Sequence, residues 1–173
     1  MTRVFSKRLV IDASVLCAAG TTDHPTSRVC REFLEEVRRI CHRIVICDDL
    51  RVEYRNHSSR FASGWRTEMQ SRGKVESISV DTSRIQELSG LLGPSGRDLN
   101  DVKKDAHLIA AALITDHIVV SLEKRARRDY GLIAKQERSI QAIVWTNPVE
   151  DQGALKWLQE GAPTECEYRL GAE

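Results

Sequence analysis

The chain has 173 residues, 41% hydrophobic and 29% charged, a globular composition that excludes disordered, collagen-like and low-complexity classes. Lys and Arg number 26 against 25 Asp and Glu, a formal net charge of +1, so no whole-molecule field draws in DNA or anionic lipid. At roughly 150 residues per domain the length fits one domain, expected over residues 1–160 with a polar, loose tail over 161–173.

The five cysteines (Cys17, Cys30, Cys41, Cys47 and Cys166) are odd in number and show no CxxC spacing. They read as buried apolar thiols in a reducing, cytoplasmic setting. Basic Arg3, Lys7 and Arg8 precede an apolar run from Leu9 to Ala19. Asp12 inside that run argues against an export signal. No segment approaches the ~20 apolar residues of a membrane span.

Short β-like runs alternate with helical ones. Leu9-Val10-Ile11 reads as a strand buried on both faces. Pro25 and Thr26 open an amphipathic helix whose stripe is Val29, Cys30, Phe33, Leu34, Val37, Ile40 and Cys41. Ile44–Cys47 is the second strand. Asp48-Asp49 then caps a helix running through Val52 towards Arg60, and Phe61–Arg72 forms another, weakened at Gly64 and ended by Gly73. Val75–Val80 reads as the third strand, followed by a helix carrying Ile85, Leu88, Leu91 and Leu92, and a loop at Gly93-Pro94-Ser95-Gly96. A long helix is expected from Asn100 to Asp116, with Val102, Ala106, Ile109 and Leu113 as its stripe. Ile118–Val120 is the fourth strand, Lys124–Gln136 a basic helix, Ala142–Trp145 the fifth strand and Glu150–Gln159 a closing helix. The alternation implies an α/β fold with a parallel sheet between helices, whose ligands bind at the carboxyl ends of the strands where strand order reverses.

Four acids fall on that edge. Asp12 follows the first strand, and Glu123 lies just past the fourth. Glu53 sits early in the helix leaving the second strand, and Asp105 near the start of the helix leading into the fourth. At 100° per residue Asp105 is about 60° from Val102 and borders the buried stripe. Carboxylates gathered in one place repel and raise one another's pKa. Mg²⁺ or Mn²⁺, which prefers oxygen ligands, resolves this and supports attack of water on phosphorus. Asp12, Asp105 and Glu123 are the expected metal ligands. Glu53 completes the catalytic set, and Ser14 and Ser121 support it. Plainer roles compete: Asp12 as a helix cap, Asp105 as a dipole partner, and Glu53 and Glu123 as solvated helix acids; Asp98 and Asp101 compete with Asp105 for its place, each with N-capping as its own plainer role.

These residues resemble motifs of the PIN-domain nucleases. Leu9-Val10-Ile11-Asp12-Ala13-Ser14 is similar to their opening strand, and Val52-Glu53-Tyr54 to their helix glutamate. Lys104-Asp105-Ala106-His107-Leu108-Ile109-Ala110-Ala111-Ala112 resembles their third acidic motif. Val119-Val120-Ser121-Leu122-Glu123 occupies the place of the fourth, where the family usually has Asn-Asp instead of Leu122-Glu123. The resemblance covers roughly residues 8–146. It implies a three-layer α/β/α fold with strand order 3-2-1-4-5 and Mg²⁺- or Mn²⁺-dependent cleavage of RNA, often by a toxin paired with an antitoxin protein, often as a homodimer. A PIN-like RNA- or protein-binding module without strong metal binding or catalysis is the alternative.

Phosphate contacts need cations near the acids. Lys104, Lys124, Arg125, Arg128 and Arg55 are the foremost candidates for the RNA backbone. Trp65 is a possible base contact, whereas Trp145 and Trp157 read as core and His107 as a surface residue. The chain has no GxxxxGK[ST] loop, no GxGxxG after a strand and no G-x-S-x-G elbow. Its five histidines show no metal spacing.

Overall fold

The computed structural model describes residues 6–93 and 99–172. The expected loop at Pro94-Ser95-Gly96, and Asp98, lie outside the described residues. The elements in chain order are β1 (Arg8–Ile11), α1 (Ala13–Ala18), α2 (Pro25–Ile40), β2 (Arg43–Ile46), α3 (Asp48–His57), α4 (Arg60–Ser71), β3 (Val75–Ser77) and α5 (Ser83–Leu88). A 3-10 turn over Ser89–Leu92 leads on to α6 (Leu99–Lys104), α7 (Ala106–Leu113), β4 (Ile118–Val120) and α8 (Lys124–Ala134). After a second 3-10 turn (Arg138–Ile140) come β5 (Val144–Thr146) and α9 (Ala154–Gln159).

The five strands form one sheet in the order β3-β2-β1-β4-β5, every pair parallel. β1 is central because its Leu-Val-Ile run can be buried on both faces: Leu9, Val10 and Ile11 have no exposed surface. The reversal of strand order lies between β1 and β4, in register at Ile11 and Val120. Helices α1 to α4 and α9 pack with one another, and α5 to α8 form a second group that meets β1 and β4 through α7. This grouping is consistent with a helical layer on each side of the sheet. No helix among the described residues is long and apolar enough to cross a membrane.

Several boundaries differ from the sequence expectation. The segment Leu9–Ala19 becomes β1 followed by α1, a helix whose period is hidden in a nearly unbroken apolar run. α3 starts at Asp48, so Asp48 and Asp49 lie in its first turn and Cys47 is the N-cap. Gly64 does not interrupt α4, which Ser59 caps by accepting a hydrogen bond from the Ala62 amide at 3.0 Å. β3 stops at Ser77, where its partner β2 ends at Ile46. The fifth strand is shifted to Val144–Thr146, since Ile143 still turns with the preceding 3-10 segment. α9 starts four residues late. Asn147 accepts the Val149 amide, and Asp151 accepts the Asn147 amide, so local side-chain bonds compete with helix.

The largest departure is at Asp105. The long helix expected from Asn100 to Asp116 breaks there into α6 and α7. Asp105 has φ −90° and ψ 4°, and it makes three-residue backbone bonds on both sides, from its amide to the Val102 carbonyl and from the Leu108 amide to its own carbonyl. The expectation of a loose tail is also corrected. The Trp145 amide donates to the Tyr168 carbonyl at 2.9 Å, and the Leu170 amide to the Ile143 carbonyl at 2.9 Å. Arg169 bridges to Val144, and Tyr168 packs edge-on against Trp157. A chain ending at Gly161 is therefore expected to lose ~2–5 kcal/mol, the scale of uncovering one large buried group, read as a lower midpoint in urea.

The cysteines are mixed rather than uniformly buried. Cys30 and Cys47 are in the core, Cys17 and Cys41 are exposed and Cys166 is half-buried, all of them free thiols. Burial pushes the Cys30 thiol up to about 11. Trp145 and Trp157 are core residues as expected, and so is Trp65: it is 3% exposed and its indole donates to the Leu34 carbonyl at 2.7 Å, which removes it as a base contact.

Candidate functional site

Asp12 continues the β1 ladder for one bond, its amide donating to the Val120 carbonyl at 2.8 Å. The backbone then turns into α1. Asp12 is the N-cap of that helix, yet its side chain makes no capping bond. Its Oδ2 instead accepts from the Ser14 hydroxyl at 2.5 Å and the Ser121 hydroxyl at 2.8 Å, and the residue is 6% exposed. The two hydroxyl oxygens accept in turn from the Leu122 and Glu123 amides, at 3.1 and 3.0 Å. Ser14 and Ser121 thus pin one carboxylate and tie the end of β1 to the end of β4.

Glu123 is the N-cap of α8, again without a side-chain cap, and is exposed. Asp105, N-cap of α7, also makes no capping bond. Three of the four acids therefore occupy cap positions while leaving the capping oxygen unused, which weighs against the plain capping role. Burial first, then the charges of Asp12 and Glu123, push the Asp105 carboxyl up to about 6, against the opposing pull of His107 and Lys104.

Glu53 stands in the second turn of α3. Its neighbour Tyr54 is buried, and its hydroxyl donates to the Ile11 carbonyl, next to Asp12. Burial raises the Tyr54 phenol well above its ordinary value, with the Asp12 charge adding to the effect. His107 Nε2 faces Glu53 Oε2 at 3.5 Å, and His107 Nδ1 bonds the Lys104 carbonyl at 3.0 Å. His107 is 4% exposed, so the expectation of a surface histidine is corrected. The break at Asp105 resets the helical phase, and α7 is otherwise entirely apolar, so every face of it is buried. That all-apolar run was the available signal. Burial disfavours the His107 cation, but the Glu53 carboxylate, the Lys104 carbonyl and the Asp49 charge outweigh it, and the net shift is upward.

Asp12, Glu53, Asp105 and Glu123 all line one cleft of about 430 Å³ at the carboxyl edge, beside β1 and β4. Ser14, Asp101, Lys104, Arg125, Cys17 and His57 complete much of its wall. Of the cations expected to follow a nucleic-acid backbone, Lys104 and Arg125 are therefore at the cleft. Lys124 and Arg128 line a neighbouring groove instead, where Lys124 pairs with Glu150. Arg55 lines a third groove between α3 and α4. Among the described residues no three His, Cys, Asp or Glu side chains stand close enough to grip one ion as placed.

The donors at the cleft are mainly carboxylate oxygens, with serine hydroxyls behind them and Cys17 and His57 also on its wall. The four carboxylates fit a hard, oxygen-preferring divalent cation. No protein-family model, curated protein or solved structure matches the chain.

Proposed function

We propose that the chain is a PIN-type, Mg²⁺- or Mn²⁺-dependent endoribonuclease. The observation that carries the reading is that four carboxylates from four separate parts of the sequence line a single cleft at the strand-order reversal. Asp12, Asp105 and Glu123 would hold the cation, with Glu53 completing the catalytic set. When bound, such an ion activates water and stabilises charge on the phosphoryl group during in-line displacement. The water oxygen bonds to phosphorus, the bond from phosphorus to the 3′ oxygen breaks, and that oxygen leaves with a proton. The products are a 5′-phosphate and a 3′-hydroxyl.

The chain's own groups have separable tasks. Ser14 and Ser121 orient Asp12 by donating to one of its oxygens. His107 bonds the backbone at the α6–α7 junction through Nδ1 and turns Nε2 towards Glu53 at 3.5 Å, where a protonated ring would pair with it. Lys104 and Arg125 place positive charge on the cleft wall, where the oxygens of a phosphodiester would lie. A toxin role with an antitoxin partner, and a homodimer, belong to the same proposal through the PIN resemblance. The second reading, a non-catalytic RNA- or protein-binding module, is favoured by the exposure of Glu123, which stands where the PIN motif has aspartate.

Incubation of purified protein with end-labelled RNA, with Mn²⁺ or with chelator, separates the two. The nuclease reading expects cutting that needs metal and leaves 5′-phosphates. RNA retained intact with every metal supports the module.

A further inference from the structure

The groove between α3 and α4, about 310 Å³, is lined by Ile46, Arg51, Tyr54, Arg55, Arg66, Thr67 and Gln70. Three arginines meet there, and among the described residues no carboxylate lines it. Several basic side chains elsewhere are closely paired: Arg127 with Asp151 at 2.9 Å, Arg8 with Asp116 at 2.9 Å, and Arg38 and Arg72 with Glu68. Here Arg51 has only a 3.9 Å contact with Asp48, whose side chain is fully exposed, and a 3.2 Å bond to the Ser77 hydroxyl. Arg55 and Arg66 have no ion pair among the described residues. The Arg66 guanidinium sits 5.4 Å from the centre of the Tyr54 ring, a contact that fixes its plane without neutralising it. Three guanidiniums on one small surface make a local positive patch that an anion complements. Guanidinium forks match a phosphate's paired oxygens.

The groove is tied to the acidic cleft through α3. Arg51 and Arg55 each stand two residues from Glu53, about 200° round the helix, so α3 separates the two sites. Tyr54 forms part of the groove wall and hydrogen-bonds the carbonyl beside Asp12. A helix with its side chains is ~10–12 Å across, so the groove lies within reach of a strand that also occupies the cleft.

We propose that the groove formed by Arg51, Arg55 and Arg66 binds a backbone phosphate of the same RNA strand whose scissile bond lies in the acidic cleft. The inference rests on the ribonuclease reading and adds to it the direction in which the strand leaves the cleft: across α3 towards α4.

The test is a fluorescence-anisotropy titration of a labelled single-stranded oligoribonucleotide, in chelator, over a series of salt concentrations. Arg55→Gln and Arg66→Gln are compared with the wild type; Arg55 is exposed, so its variant leaves the fold intact. Each variant is expected to bind about 10-fold more weakly at low salt, and to lower the slope of log K against log salt by ~0.7, the value for one phosphate contact on a single strand. Unchanged affinity and slope in Arg55→Gln overturn the proposal. Inorganic pyrophosphate titrated in parallel distinguishes the sources of phosphate: saturable pyrophosphate binding lost in Arg55→Gln, with RNA affinity unaltered, assigns the groove to a free anion and overturns the strand assignment. Cleavage of the same RNA with Mn²⁺ keeps the two claims apart. A wild type that cuts, beside variants that bind as tightly as it does, removes the groove alone. A wild type that never cuts, beside variants that bind more weakly, removes the nuclease reading and leaves the groove as an RNA site.

Discussion

Asp105→Asn is expected to stabilise the metal-free protein at neutral pH while abolishing its capacity to bind a divalent cation. The Asp105 carboxyl is raised from an ordinary 3.8 to about 6, by burial first and then by Asp12 and Glu123. The folded protein therefore holds a proton that the unfolded chain releases between those two values. Stability from this group is fully present below the unfolded value and is lost as pH rises through the window to about 6. At neutral pH the folded protein carries a carboxylate that its surroundings disfavour. A shift of this size corresponds to ~3 kcal/mol, and the partial exposure of Asp105 lowers the expected effect to ~1–3 kcal/mol. Asparagine keeps the shape and removes the charge. Urea unfolding on each side of the window checks this: the variant should gain stability above pH 6 and lose most of the gain near pH 4.

Asp12→Asn is expected to leave the fold intact and reduce metal-dependent RNA cleavage by more than ~100-fold, the upper range for losing a mere outer-shell partner of a metal site. The amide oxygen can still accept from Ser14 and Ser121, so the ties between β1 and β4 persist. Asp12→Ala behaves differently. It removes the acceptor shared by the two hydroxyls in a buried position, and stability is expected to fall by ~1–3 kcal/mol. Thermal melts and cleavage rates of both variants separate the two roles of the residue. Equal loss of stability in both would mean that the negative charge, and not the acceptor, holds the strand ends together.

The central strands were the most legible features, because the buried runs at 9–11, 44–46 and 118–120 are short, apolar and rich in branched residues, whereas the sheet order was an implication of the PIN resemblance alone. Placing Asp12 and Glu123 at one edge followed from the same pattern. The break at Asp105 was hidden: no Gly or Pro marks it, and the apolar stripe continues through it. Because the phase of α7 depends on that break, His107 was placed on the wrong face and its pairing with Glu53 was missed. Trp65 was misplaced for a related reason, since one aromatic on an amphipathic helix does not reveal which side packs on α2. The partitioning of the cations among three grooves could not be read either, because it depends on acids distant in sequence, such as Glu150 beside Lys124.

The central claim is that carboxylates from distant parts of the chain share one cation. Calorimetric titration of Mn²⁺ into the metal-free wild type, at neutral pH and again below pH 6, tests it most directly. The account predicts saturable binding at neutral pH, weaker binding at the lower pH where Asp105 keeps its proton, and no binding in Asp12→Asn. Absence of saturable binding in the wild type, or equal binding by Asp12→Asn, would contradict it.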